Sequence, residues 1–129
     1  MAVRVFLALS AAIWLPYGLF CFVQPGALAE IAGVTAASTT ASIELRAMYG
    51  GLQTAIGLLA LLAVFRPPLR RPALVMLGFL CAGLGLSRLG GAVIDAEISA
   101  YTGVGLAFEF ASASLSAWFL SRNASAAHV

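Results

Sequence analysis

Four charged residues stand in or at the rim of otherwise apolar segments: Arg46, Arg88, Asp95 and Glu109. Charged side chains are rare inside membrane-spanning segments, where they mark binding sites, conduction pathways or internal ion pairs. An arginine can hold an anionic or developing oxyanionic group, and a carboxyl group in an apolar site can exchange protons near neutral pH. Glu109 and Asp95 are therefore the candidate general acids or bases of this chain.

The composition places these charges in a membrane protein. Of the 129 residues, 62% are hydrophobic and only 9% are charged, whereas a soluble domain carries about 25% charged residues. A chain this apolar lacks the polar surface that water requires, so lipid is its expected solvent and membrane lipids are its expected partners. Nucleic-acid binding is not expected, because no basic face is available to follow phosphates.

Four segments match the length of about 20 apolar residues that a membrane-crossing helix needs. They cover about residues 3–23, 43–65, 72–94 and 101–121, and prolines or glycines mark their boundaries. The sequence therefore predicts an all-α fold, with a single domain over 1–129 that forms a four-helix transmembrane bundle. The first segment could instead be a signal peptide cleaved near Ala27-Leu28-Ala29, but its length favours a retained helix.

The connection over residues 24–42 is the longest between the spans. Its first part predicts a short helix on the membrane surface, and its Thr/Ser/Ala-rich second part predicts a mobile linker.

The arginines near the span ends predict the orientation. They fall on one side if the helices alternate: Arg4, Arg66, Arg70, Arg71 and Arg122. By the positive-inside rule this side is cytoplasmic, so we expect a multi-pass protein of the bacterial inner membrane with both termini in the cytoplasm.

Polar residues recur at helical spacing on the later spans, and this predicts a polar cluster in the outer half of the bundle. A rise of about 1.5 Å per residue puts Glu109 roughly 12 Å, Arg88 roughly 9 Å and Arg46 about 5 Å below the outer ends of their helices. We expect Glu109 to pair with Arg46 or Arg88, and Asp95 or Glu44 to pair with the other arginine. The predicted ligand-binding set is Arg46, Tyr49, Gln53, Arg88 and Glu109.

Metal and cofactor chemistry have no support in the sequence. Cys21 and Cys81 are too far apart for a CxxC motif, and the single histidine, His128, lies near the C-terminus. We expect no metal site, no cofactor and no intramolecular disulfide, with both cysteines as buried thiols.

The run from Glu44 to Gly57, which contains Arg-Ala-Met-Tyr-Gly-Gly, resembles the DUF4345 family of small bacterial membrane proteins. The same is true of Ser87-Arg88-Leu89-Gly90-Gly91 followed by Asp95, and of Glu109 in the last span. The resemblance covers about residues 25–121 and implies a four-helix membrane protein of undefined function. In this chain Asp95-Ala96-Glu97 occupies the place of an expected Asp-Gly turn. A looser similarity to DoxX-like proteins concerns architecture only.

Three functions fit these observations. The first is binding of a small lipophilic or amphiphilic ligand at the polar cluster, where transport of the ligand would need a homo-oligomer. The second is an accessory or assembly subunit whose charges form a purely structural ion-pair network. The third is a cofactor-independent enzyme of the isomerase, epoxide-opening or cyclase type, with Glu109 or Asp95 as general acid or base.

Overall fold

The computed structural model describes residues 1–125, with side chains as far as Arg122, so that His128 lies outside the described residues. All regular elements of this part are helical, which confirms the predicted all-α class. The main helices are α1 (Ala2–Val23), α2 (Leu28–Ala32), α3 (Thr39–Leu45), α4 (Leu52–Phe65), α5 (Arg70–Ile94) and α6 (Ala100–Ser125).

Four helical stretches are long and apolar enough to cross a membrane, as predicted. They cover Ala2–Val23, Thr39–Phe65, Pro67–Ile94 and Ala100–Arg122. The second combines α3, a π-helical segment (Arg46–Gly51) and α4 in one continuous run. The chain is a membrane protein by these lengths and hydropathies.

The chain forms two compact units, Met1–Arg70 and a unit that begins at Arg71. The first unit contains the first two membrane-length stretches. The third begins at Pro67 in the first unit and continues through α5 in the second, which also contains the fourth. The single domain expected over 1–129 stays a prediction.

In the first unit, α1 packs on α4 at a distance that two glycines permit. A Cβ added at Gly57 would lie 2.5 Å from the Leu15 backbone nitrogen, and one added at Gly18 would lie 2.5 Å from the Thr54 backbone nitrogen. Both distances are shorter than a van der Waals contact, and the backbone atoms on the other side cannot move aside. Close approach of this kind is how membrane helices associate without a hydrophobic driving force.

The connection after α1 contains the predicted short helix, α2. This helix ends at Gly33, whose φ of 69° is left-handed, and the Val34 N–H donates to the Leu28 carbonyl over 3.1 Å. This is the C-terminal capping arrangement that glycine favours. The Leu28 side chain is buried, with 1% exposure.

The predicted linker is shorter than expected, because its last residues belong to α3. Ser38 is extended and its hydroxyl accepts a hydrogen bond from the Ala41 N–H over 3.1 Å. A serine in this position satisfies a free amide of the first turn and starts the helix. The second membrane-length stretch therefore begins at Thr39, a few residues before the start expected at about residue 43.

In the second unit, α5 ends in a turn that carries an alanine in a glycine conformation. The Glu97 N–H donates to the Ala92 carbonyl over 3.2 Å, while Ala96 has a φ of 51°. The structure thus places a left-handed residue at the position where the family resemblance implied glycine. Ser99 then caps α6 by accepting from the Thr102 N–H over 3.1 Å.

Candidate functional site

An ion pair between Arg88 and Glu109 joins α5 to α6. The Arg88 Nε lies 3.1 Å from Oε1 and 3.0 Å from Oε2 of Glu109, and Nη2 lies 2.7 Å from Oε1. Both carboxylate oxygens are therefore bound by one guanidinium, the geometry in which arginine holds a carboxylate most firmly. Of the two partners predicted for Glu109, the structure shows Arg88.

The pair is buried unequally. The Glu109 side chain is 5% exposed, whereas that of Arg88 is 27% exposed. An unpaired carboxylate at this depth would be costly, and the guanidinium neutralises it. A molecule that approaches the pair from outside the protein therefore reaches the arginine before it reaches the glutamate.

Tyr101 and Gly105, both on α6, shape the position of the guanidinium. Its Cζ atom lies 5.7 Å from the centre of the Tyr101 ring, within the range of cation–π attraction. A Cβ at Gly105 would lie 2.9 Å from the Arg88 Nε and 3.0 Å from Cζ. The arginine thus lies across α6 in space that the glycine leaves open.

Sequence reasoning missed Tyr101 as a member of this site. It lies eight positions before Glu109, in the first turn of α6, and helical periodicity puts residues seven or eight apart on one face. That spacing was the available signal. Gly105 belongs to the predicted polar face of the fourth span, but its contact with the guanidinium was not anticipated.

Below the pair, the polar face of α6 continues with Ser112 and Ser116, which are 5% and 0% exposed. Ser112 forms a side-chain hydrogen bond with Cys81 of α5. Among the described side chains, no hydrogen-bond partner is present for the Ser116 hydroxyl. Both cysteines are free and buried. Within residues 1–125 there is also no group of three or more histidines, cysteines and carboxylates that could hold a metal ion.

Arg46 caps α1. Its Nε donates to the Phe22 carbonyl over 3.1 Å, and its Nη1 donates to the Ser42 hydroxyl over 2.7 Å. Phe22 lies in the last turn of α1, where carbonyls have no partner within the helix and a cation is favourable. Among the described residues of the first unit, no carboxylate lies within ion-pair distance of Arg46. Glu44 as its partner was therefore wrong.

Asp95 does not hold Arg88 either. It follows the last residue of α5, its side chain is exposed, and its N–H donates to the Gly91 carbonyl over 2.9 Å. Arg88, one of the two arginines considered as a partner of Asp95, binds Glu109 instead. The physical reason is position: Asp95 lies beyond the helix end, whereas Glu109 faces α5 from the middle of α6.

Tyr49 belongs to the π-helical segment, and Gln53 lies in the first turn of α4. Both side chains are partly exposed. Their roles as ligand contacts stay predictions, as do those of Arg46, Arg88 and Glu109.

The π-helical segment coincides with the Arg-Ala-Met-Tyr-Gly-Gly run of the family resemblance. At its end the Leu52 N–H donates to the Ala47 carbonyl, five residues back. Such segments are rare and occur frequently at functional sites. Sequence periodicity of 3.6 residues gave no indication of this widened turn.

A family model described as "Domain of unknown function (DUF4345)" matches residues 2–120, and so covers both units. No curated protein and no solved structure matches the chain.

Proposed function

The chain belongs to the DUF4345 family, and we propose that it binds a small amphiphilic molecule in the bacterial inner membrane. The polar head of this molecule would lie at the Arg88–Glu109 pair, and its apolar part would lie among the surrounding hydrocarbon. Both termini face the cytoplasm in this proposal, as the arginines at the span ends favour. Arg46, Tyr49 and Gln53, which belong to the first unit, stay predicted ligand contacts.

The observation that carries the proposal is the unequal burial of the pair. Glu109 holds the guanidinium from the protein side, and 27% of the Arg88 side chain remains exposed. A positive group that is fixed by a buried carboxylate and reachable from outside is suited to an oxygen-bearing head group. The net charge of the pair is zero, so the site favours a neutral or weakly anionic head over a strongly charged one.

The neighbourhood supports an apolar tail. Leu84 lies one helical turn before Arg88, and Val104 lies one turn after Tyr101, so each shares a helix face with a group of the site; they are 40% and 72% exposed. The Tyr101 ring adds an aromatic face with a polar tip beside the guanidinium. Such a mixture of apolar walls with a few convergent polar groups is typical of ligand sites.

A second candidate function is that of an accessory subunit whose ion pair is purely structural. The observation that favours it is the completeness of the pair, with three hydrogen bonds joining α5 to α6. A pair of this kind can fix the register of two helices without any ligand.

The enzyme hypothesis has less support. Both oxygens of Glu109 accept from Arg88, so a substrate would have to share this carboxylate with the guanidinium. Asp95 is exposed beyond the end of α5, away from the buried pair.

The test measures thermal unfolding of the detergent-solubilised protein with three probes: palmitate, a monoacylglycerol and lysophosphatidylglycerol. At about ten times Kd, a ligand of the folded state raises Tm by about 3–6 °C. We expect at least one probe to raise the Tm of the wild type. The control is Arg122→Gln, since Arg122 is an exposed arginine of α6, the helix that carries Glu109; it should keep the shift, whereas Arg88→Gln should lose it.

Arg88→Lys serves as a second variant that keeps the charge if Arg88→Gln does not fold. It should weaken the shift, because lysine cannot bind both the carboxylate and a head group in the bidentate geometry. If no probe shifts the wild type, ligand binding is rejected. If Arg88→Gln keeps the full shift, the ligand site lies elsewhere.

A further inference from the structure

An apolar groove runs between α5 and α6 at the end opposite to the ion pair. Its volume is about 400 Å³, which is within the range of small-molecule sites. The groove is lined by four residues of α5 and four of α6: Val75, Gly78, Phe79, Ala82, Ala113, Ser114, Ala117 and Leu120. The small side chains form the floor of the groove, and the Phe79 side chain, 80% exposed, forms its rim.

Arg71 precedes the groove residues on α5. It lies one helical turn before Val75, and the spacing of 71, 75, 78 and 82 places all four on one face of α5. The Arg71 side chain is exposed. In the part of the chain that the structure describes, it has no carboxylate within ion-pair distance.

The length of this arrangement matches one leaflet of a membrane. From Arg71 to Ala82 the helix rises about 16 Å, at about 1.5 Å per residue. Half of a hydrocarbon core is about 15 Å thick. With Arg71 at the membrane surface, the apolar groove therefore reaches from the head-group level to about the midplane.

We propose that this groove binds an anionic phospholipid. The phosphate of the head group lies at Arg71, and one acyl chain lies between α5 and α6. An unpaired cation at one end of an apolar groove complements a molecule that has a negative head and a hydrocarbon tail. This site is separate in sequence from the Arg88–Glu109 pair and does not depend on the function proposed for it.

A second copy of the chain fits the same groove less well. Copies in one membrane have the same orientation, and a two-fold interface brings the same surface of each subunit together. Such a dimer would bring two Arg71 side chains close to each other at the same membrane surface, and like charges in that position repel. The exposed Phe79 ring would also stand between the two helix pairs.

The test is native mass spectrometry of the protein released from nanodiscs that contain equal amounts of phosphatidylglycerol and phosphatidylcholine. We expect one retained lipid, with phosphatidylglycerol preferred. An arginine near the surface contributes a factor of about five to the binding of an anionic lipid. Arg71→Gln should therefore reduce the preference about fivefold, and Arg66→Gln, which changes an exposed arginine just before the same helix, should leave it unchanged.

Ala117→Leu fills the groove and should reduce retention of both lipids. Ala111→Leu is the matched control, because Ala111 is also an exposed alanine of α6 but does not line the groove. Ser114→Leu is a second groove variant, which keeps the test valid if Ala117→Leu is poorly folded.

Equal effects of Arg71→Gln and Arg66→Gln would overturn the proposal, since they would indicate a general surface charge effect. So would unchanged lipid retention in both groove variants. A loss of dimers in Ala117→Leu without a loss of lipid would assign the groove to a second copy of the chain instead.

Discussion

The guanidinium of Arg88 binds both carboxylate oxygens of Glu109, although the two residues are 21 positions apart and lie on different helices. Oε2 accepts from Nε over 3.0 Å, and Oε1 accepts from Nη2 over 2.7 Å. The pair therefore sets how α5 and α6 face each other, and it keeps the buried carboxylate neutralised. Each of the two charges therefore needs the other as its partner in this buried position.

Removing one partner of the pair should lower the free energy of unfolding far more than removing both. Arg88→Met leaves a buried carboxylate without its cation, and Glu109→Leu leaves the cation without its carboxylate; each should lower the free energy of unfolding by about 3–5 kcal/mol. The double variant should recover most of this loss, because an apolar pair leaves no uncompensated charge. Reversible unfolding in mixed micelles measures all three, with Arg122→Met as an exposed control. Additive losses in the double variant would contradict the coupling.

Gly105→Ala should disturb the pair without removing a charge. The new Cβ would lie 2.9 Å from the Arg88 Nε, so the guanidinium must move from the position in which it binds Glu109. We expect a loss of stability of about 1–3 kcal/mol. Gly103→Ala is the matched control on the same helix, since a Cβ there meets nothing within 4 Å; higher helix propensity should stabilise it by up to about 1 kcal/mol. Losses of equal size in both variants would refute the role of Gly105.

Ala96→Gly should stabilise the turn after α5. Ala96 has a φ of 51°, a left-handed conformation that costs an alanine about 1–2 kcal/mol and a glycine almost nothing. The greater chain entropy of unfolded glycine offsets part of the gain, so we expect a net stabilisation of about 0.5–1 kcal/mol. Ala92→Gly, inside α5, should destabilise the protein by a similar amount. Thermal unfolding compares the two, and a lower Tm for Ala96→Gly would contradict the structure.

Arg46→Gln should destabilise the protein, because it weakens the cap at the C-terminal end of α1. The change removes a charged donor from the Phe22 carbonyl and the Ser42 hydroxyl, and charge-assisted hydrogen bonds are worth about 1.5–3 kcal/mol. Because Arg46 is partly exposed, we expect a loss near the lower limit. The control is Arg66→Gln, which removes an exposed arginine. Unchanged stability together with loss of the probe-induced shift in Tm would instead assign Arg46 to the ligand.

The membrane orientation is testable with reporter fusions. A green fluorescent protein joined after Val129 should fluoresce, and alkaline phosphatase in the same place should be inactive, because both termini are expected in the cytoplasm. Fusions in the turn between α5 and α6, after Glu97, should give the opposite pattern. Active phosphatase after Val129 would indicate the reverse orientation, with the Arg71 groove in the outer leaflet.

The number and type of the long helices could be predicted because hydropathy and span length are local properties of the sequence. Four apolar runs of about 20 residues have few alternatives in a membrane, since every backbone amide must find a partner within its own helix. The start of α3 was missed because Ser38 was treated as linker, although serine is a preferred cap. The turn at Ala96 was missed because a left-handed alanine is rare.

The candidate site could be predicted only as a set of residues. Burial in lipid indicated that Arg46, Arg88 and Glu109 need polar partners, but several partners were equally compatible with helical spacing. The choice depended on which side chains face each other across two helices. For Arg46 the acceptors are a backbone carbonyl and a serine hydroxyl, and no sequence pattern identifies an available carbonyl.

The sequence by itself thus determined that the chain is an all-helical membrane protein with four membrane-length stretches and a few costly charges within them. These follow from the free energy of placing apolar and charged side chains in hydrocarbon, which depends on residue type. Only the tertiary structure decided that Glu109 binds Arg88, that Arg46 caps α1, and that Gly105 and Tyr101 position the guanidinium. Those contacts depend on distances of about 3 Å between separate helices, which helical periodicity cannot resolve.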